Sequence, residues 1–351
     1  MNCGVISIND KSGSAKFELN SLNDIRTKLI PLFDKFPLNG LKYLDYLAFK
    51  EGIAIKLNEG LSKDQKHELI LGLKDSMNSK RVDFEMPFAH KINITPYWLL
   101  GIIEGEASFS ISSSNIPRTT FYLSLTSAQG PLIHAIKDFL TSNMLGEDLL
   151  KLPLDYQESL RKVIGIYNPK GRGNSKSQVE LIVTQTKFLV DKLIPLLSGL
   201  TFVTKKYKDF LDWALVSSLI YTGKHTTEKG SELIVKVGKG MNLNRLTTFQ
   251  KGKAEEIPQS LIDEVLKMED VYIKGADGLR VHASNPTRLV SGQLFYILAE
   301  GLDGESITFK SSESCADYFG VTSATVNSRI VKRLPISNTN KIKFMLSRIP
   351  L

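Results

Sequence analysis

The sequence predicts an α+β protein made of a duplicated unit followed by a small strand-and-helix module. Three observations carry that expectation. The chain repeats itself at an offset of 164 residues, an apolar helix pattern ends on two glutamates and runs into alternating strands, and a helix, a glycine turn and a second helix follow near the C-terminal end.

The repeat organises the chain. Residues 28–81 align with 192–245 without a gap: "KLIPLF" meets "KLIPLL", "KYLDYLAF" meets "KYKDFLDW", "ELI" meets "ELI", and Met77, Asn78 and Arg81 meet Met241, Asn242 and Arg245. Fifteen of the 54 aligned positions are identical, against roughly 3 expected by chance for ordinary compositions. Agreement of that length indicates a duplicated unit and pseudo-two-fold architecture, which suits a two-fold target such as duplex DNA. The stretch "WLLGIIEGEASF", residues 98–109, has no counterpart at this offset, because its partner would fall ahead of Met1. The 351 residues hold two copies of the back of the unit and one of its front, so a lost N-terminus or an upstream reading frame is expected.

Thr95 and Pro96 read as an N-cap followed by proline at the first helical position, and the helix should run to about Glu106. Trp98 to Ile103 are apolar on every side, which predicts burial. Gly101 and Gly105 share one face and permit close approach of another helix. Glu104 and Glu106 sit at the helix's negative end, where an anion costs ~0.3–1 kcal/mol. A divalent cation with oxygen ligands is the natural compensation, and two solvated acids are the competing reading. Then Phe109 and Ile111 alternate with Ser108, Ser110 and Ser112, and Phe121, Leu123 and Leu125 alternate with Tyr122, Ser124 and Thr126. This is a β-ribbon with one apolar and one hydroxyl-rich face, a shape that fits the major groove.

Composition narrows the partners. A formal charge of +8 over 351 residues favours a polyanion, nucleic acid before membrane, and the length suggests two or three domains. No apolar run approaches the ~20 residues of a membrane helix, and the N-terminus lacks a secretory or transit pattern, so the chain is expected to act where it is made. Two cysteines, Cys3 and Cys315, exclude a disulfide framework or a cysteine-built zinc site, and the five histidines lack metal-ligand spacing.

Leu99-Leu100-Gly101-Ile102-Ile103-Glu104-Gly105-Glu106-Ala107, the hairpin after it, "IKDFL" at 136–140 and the paired "IPL…KY…DF" blocks resemble the LAGLIDADG homing endonucleases, specifically their organellar double-motif members. The resemblance covers roughly residues 1–246. It implies αββαββα half-domains, the first one truncated at 1–90 and the second complete at 91–246, forming a saddle of antiparallel sheets over DNA. It also implies a pseudo-dimeric monomer when the N-terminal segment is present. Carried over by position, Glu106 matches the acid that binds Mg²⁺ or Mn²⁺, Gly105 lends a carbonyl, and Glu104 matches a position that is less often a ligand. Lys206 and Lys42, equivalent in the repeat, resemble the basic residues flanking the metal sites, with solvated surface lysines as the alternative. Relatives end the second strand with Gln; here Ser127 stands there and Gln129 follows, and Ala107 replaces the usual final Gly.

The insert 161–178 carries Arg161, Lys162, Lys170, Arg172 and Lys176 and fits a strand and loop on the DNA backbone. Residues 247–290 read as a linker. Residues 291–351 read as two strands, a helix capped by Ser312, a turn at Gly320 and a helix opened by Ser323, which is helix-turn-helix arithmetic. That module resembles the DNA-binding domains appended to homing nucleases, with Ser323, Thr325, Asn327, Ser328 and Arg329 toward bases and Lys332 and Arg333 toward phosphates. The expectation is a site-specific, metal-dependent DNA endonuclease of mitochondrial intron type, weakened in double-strand cleavage by the absence of a second motif acid. A group I intron RNA maturase and a catalytically inactive DNA-binding remnant are the alternatives.

Overall fold

The offset of 164 that relates the two sequence copies also relates their elements. In the computed structural model, which describes residues 2–9, 14–112, 116–145, 154–171, 176–242, 257–301 and 304–350, the first copy opens with strands β1 (Val5–Asn9) and β2 (Ser14–Glu18). Helix α1 (residues 22–35) follows, then α2 (Lys42–Leu57) and α3 (Lys63–Asp75). Shifted by 164, α1 meets a helix over 186–198, α2 meets Lys206–Tyr221, and α3 overlaps Glu228–Lys239. Both copies of α1 widen to a π turn, Ile25–Leu29 and Leu189–Leu193, directly before Pro31 and Pro195. Proline has no N–H and its ring collides with the carbonyl four residues back, so a local change of winding relieves both problems. Asn78 and Asn242 adopt the left-handed conformation at φ 54° and 56°. Each donates its backbone N–H to the matching aspartate, Asp45 at 2.9 Å and Asp209 at 3.0 Å.

The front of the second copy is helix α4 (Pro96–Glu106), β3 (Ala107–Ser112), β4 (Arg118–Thr126) and α5 (Gly130–Leu145). Then come α6 (Leu154–Arg161), β5 (Ile164–Tyr167) and β6 (Gln178–Val183), with sheet order β3-β4-β6-β5. Thr95 caps α4 as expected, its hydroxyl accepting the Trp98 N–H at 3.2 Å. The 186–198 helix is α7, Lys206–Tyr221 is α8 and Glu228–Lys239 is α9. Phe109 and Phe121 of the ribbon pack with Phe210 and Trp213 of α8, all at most 1% exposed, with Phe109 ring centroids 5.1–5.8 Å from the other three. Each such buried side chain contributes about 1.5–3 kcal/mol relative to exposure.

Two compact units divide the described chain, one formed by Met1–Leu99, Ser124–Phe139 and Ile166–Glu180, the other by Leu100–Leu123, Leu140–Gly165 and Leu181–Leu351. Two expectations are corrected here. Helix α4 is not buried all round: Leu99, Leu100 and Ile103 are buried, but Tyr97 is exposed, and the Gly101 and Gly105 face is open, so that a Cβ added at either glycine would meet nothing within 4 Å. The stretch 247–290 is not an open linker over its described part. Helix α10 (Gln259–Lys267) and a β7-β8-β9 sheet (Tyr272–Lys274, Arg280–His282, Asn285–Leu289) fill it. Val265 is fully buried, and Lys224, 7% exposed, donates to the Leu266 carbonyl at 2.9 Å and pairs with Asp270 at 3.2 Å.

The C-terminal module is a β11-β10-β13-β12 sheet (β10 Phe295–Gly301, β11 Ser306–Phe309, β12 Ile336–Ser337, β13 Lys343–Pro350) under helices α11 (Ser312–Phe319) and α12 (Ser323–Lys332). Ser311 rather than Ser312 caps α11, in a reciprocal box with Ser314. Gly320 makes the turn at φ 64° and Thr322 caps α12. Ile297, Cys315, Phe319, Val326 and Phe344 form the core between sheet and helices.

Candidate functional site

The two glutamates at the end of α4 have separate fates. Glu104 Oε1 accepts the N–H groups of Val203 at 2.9 Å and Thr204 at 2.7 Å. The carboxylate at the negative end of α4 is thus stabilised by two backbone dipoles, and it fastens the loop that leads into α8. Glu106 is exposed and makes no hydrogen bond or ion pair among the described residues. Directly after it, the Ala107 carbonyl accepts Lys206 Nζ at 2.8 Å. A free carboxylate and a half-buried ammonium therefore flank one residue at the junction of helix and ribbon.

Glu106 fits a divalent cation as one exposed carboxylate ligand beside the open Gly105 backbone. It does not form a complete cage: among the described residues no three His, Cys, Asp or Glu side chains gather for a metal. A cation held here takes its remaining oxygens from water, from phosphate or from another carboxylate. Lys42, the repeat partner of Lys206, is placed differently, with its Nζ on Asn78 Oδ1 at 2.8 Å and Asp45 Oδ2 at 3.2 Å. Burial pushes the Asp45 carboxyl up, but hydrogen bonds from the Asn78 N–H, Arg81 and Lys42 outweigh it and hold the acid below its usual range. Lys42 thus belongs to a local polar cluster.

The ribbon's polar face is as the alternation requires. Ser108 lies opposite Tyr122, Ser110 opposite Thr120 and Ser112 opposite Arg118, all partly or fully exposed, while Phe109, Phe121, Leu123 and Leu125 are buried. Ser124 Oγ donates to Gln178 Oε1 at 3.2 Å, and Thr126 is exposed. Arg118, Thr120 and Gln178 are additions to the candidate surface. The first two were readable by carrying the alternation back from Tyr122, but Gln178 needed the knowledge that β6 lies beside β4.

Arg161 and Lys170 are exposed, whereas Arg172 lies outside the described residues. Gln129 has a structural role: its Oε1 accepts the Leu41 N–H at 3.2 Å, and a Cβ at Gly40 would come within 2.4 Å of that oxygen. In the C-terminal module, Ser323, Thr325 and Arg329 are partly exposed, and Ser328, Lys332 and Arg333 exposed. Asn327 is corrected. Its Oδ1 accepts from Ser312 Oγ and from Arg348 Nη2, both at 2.9 Å, so it ties α12 to α11 and β13 and is not free to read a base.

A helix that ends on an exposed carboxylate and continues into a ribbon with one hydroxyl face is an αββ arrangement. The family model described as LAGLIDADG endonuclease matches residues 1–53 and 99–217. Over those two segments the chain is similar to that family. It is 26% identical over 337 residues, 93% of this chain and 67% of the relative, to the uncharacterized mitochondrial protein RF1 of Saccharomyces cerevisiae. It is also 26% identical over 261 residues to the probable intron-encoded endonuclease 2 of Neurospora crassa, covering 67% of this chain and 52% of the relative. The chain thus spans about half the length of that Neurospora protein. Among solved structures, LAGLIDADG homing endonuclease I-GzeII in complex with its DNA target aligns at TM-score 0.54 and 26% identity, over 71% of this chain and 81% of that one. I-SmaMI bound to cleaved DNA shares the fold at TM-score 0.54 and 21% identity, over 68% and 78%.

Proposed function

We propose that the chain acts on duplex DNA as a site-specific, divalent-metal-dependent endonuclease of the intron-encoded kind, in mitochondria. The observation that carries this reading is the unpaired, exposed Glu106 at the helix–ribbon junction, with Lys206 Nζ 2.8 Å from the adjoining carbonyl. DNA-bound relatives of the same fold and a formal charge of +8 support it. The ribbon face of Ser108, Ser110, Tyr122, Ser124 and Thr126, with Arg118 and Thr120, presents short hydroxyls and one guanidinium to base edges and phosphates. Arg161 and Lys170 supply backbone contacts. Helix α12 offers Ser323, Thr325 and Arg329 as a second reading head, with Lys332 and Arg333 toward phosphates.

Glu106 would hold a divalent cation such as Mg²⁺ or Mn²⁺, which would supply a Lewis acid and an activated water for phosphodiester hydrolysis. Lys206 keeps a fixed positive charge where the leaving oxygen develops negative charge. Glu104 positions the loop that delivers Lys206 and touches no reacting atom.

Plasmid-library cleavage with Mg²⁺ or Mn²⁺ tests the reading. Glu106→Gln should lower cutting by at least about 100-fold and Lys206→Met by about 10–100-fold, the range for loss of a charged stabiliser, while both retain DNA affinity. Undiminished cutting by Glu106→Gln rejects the assignment. Tighter binding to structured intron RNA than to duplex DNA, with no metal-dependent product, favours a splicing cofactor.

A further inference from the structure

Gly223 follows α8 in the left-handed conformation at φ 79°, and a Cβ there would fall 2.7 Å from the Tyr272 ring. Glycine at this corner lets the β7-β8-β9 sheet close onto the end of α8. The Tyr272 N–H donates to the Thr222 carbonyl at 2.8 Å, and Arg280 Nη1 of β8 donates to the Tyr221 carbonyl at 2.6 Å. Between that sheet, the start of β4 and the start of α7 lies a cavity of about 630 Å³, a volume typical of small-molecule sites. All its walls belong to the second compact unit.

The charge of those walls has one sign. Arg118, Lys187 and Arg280 line the cavity, and no aspartate or glutamate does. Lys187 already pairs with Asp191 at 3.2 Å. Arg280 has no such partner: it is 7% exposed, its guanidinium lies 4.2 Å over the Tyr221 ring, and it makes no ion pair among the described residues. Its Nε is buried without a hydrogen-bond partner, and so is Nδ1 of His225 on the same wall. Burial lowers the pKa of both groups, yet a guanidinium stays charged in a protein. A buried cation without a counter-charge is unfavourable, and an anion beside it offsets that. Thr184 to Lys187 add the first turn of α7, whose positive dipole end favours a negative group. The remaining wall is apolar and aromatic, with Ile220, Tyr272 and Val290. A bare oxyanion would leave that wall in water, whereas a phosphate joined to a sugar and base covers both parts.

We propose that this cavity binds the phosphate of a nucleotide, supplied either as a free mononucleotide or by a DNA strand, with Arg280 as its buried counter-charge and Tyr272 and Val290 against the sugar or base. Neither Glu106 nor Lys206 lines the cavity, so this binding is separate from metal-dependent cleavage and stands or falls without it.

Two binding measurements test the proposal, calorimetric titration with 5′-deoxyadenosine monophosphate and fluorescence anisotropy with a labelled random-sequence duplex. Ser291 is an exposed wall residue, so Ser291→Glu adds a carboxylate to the cavity and Ser291→Gln adds the same bulk without charge. Ser198→Glu adds the same charge at the exposed far end of α7, roughly 18 Å along the helix and beyond the ~8 Å screening length of physiological salt. Ser291→Glu should weaken binding of at least one probe by about tenfold or more, while Ser291→Gln and Ser198→Glu stay within about twofold of the unmodified chain. A loss with the mononucleotide identifies a free nucleotide as the ligand, and a loss with the duplex alone identifies a strand phosphate. Arg280→Met should abolish the same binding, with circular dichroism reporting its fold; where that variant does not fold, the Ser291 and Ser198 variants decide. Equal affinities of Ser291→Glu and Ser291→Gln for both probes, or equal losses in Ser291→Glu and Ser198→Glu, overturn the proposal.

Discussion

Two acids one residue apart, Glu104 and Glu106, divide structure from chemistry. Removing Glu104 leaves the N–H groups of the exposed Val203 and Thr204 to water, and a net hydrogen bond of this kind is worth about 0.5–1.5 kcal/mol. Glu104→Ala should therefore lower the unfolding free energy, read by urea titration, by that amount, while Glu106→Ala, at an exposed position with no partner, should stay within about 0.5 kcal/mol. Equal destabilisation by the two would remove the distinction. The two carboxylates thus differ by position: Glu104 holds the loop, and Glu106 is exposed. The sequence shows both acids and the helix end they share, but not which carboxylate turns back onto residues a hundred positions away.

At the level of elements, the repeat turns comparison into a measurement. Asn78 and Asn242 share a left-handed backbone, which costs a non-glycine, non-asparagine residue roughly 1–2 kcal/mol. Asn242 also bonds the Phe109 carbonyl at 2.9 Å, whereas the Asn78 side chain receives Lys42 at the surface. Asn242→Ala should cost about 2–3 kcal/mol and Asn78→Ala about 1 kcal/mol in chemical denaturation, adding one hydrogen bond to the shared strain. Regular periodicity made these elements legible: the ribbon's alternation, the Thr95-Pro96 start of α4 and the Gly320 turn all lie where the residues put them. Asn327 was not legible, because its partners Ser312 and Arg348 come from two other elements. Nor were α10 and the β7-β8-β9 sheet, whose short strands and scattered apolar residues carry little period of their own.

For the whole molecule, charge and topology set the behaviour toward DNA. If α12 and its C-terminal turn lie on phosphates, replacing Arg329, Lys332 and Arg333 together with Gln should lower the slope of log affinity against log salt by about 2.7, taking about 0.9 per neutralised phosphate on duplex DNA. An unchanged slope would remove this module from the interface. The duplication was legible at this scale because fifteen identities at one offset carry it. The difference in burial between the copies was not, since Leu69 and Leu233 are the same residue type at equivalent positions and only the surrounding chain tells them apart.

The bare β1–β2 ribbon also governs how this polypeptide behaves at the bench. With Val5, Ile6, Ile8 and Phe17 facing water on a strand pair that has a free edge, the ribbon is a template for edge-to-edge pairing, so self-association should rise with protein concentration.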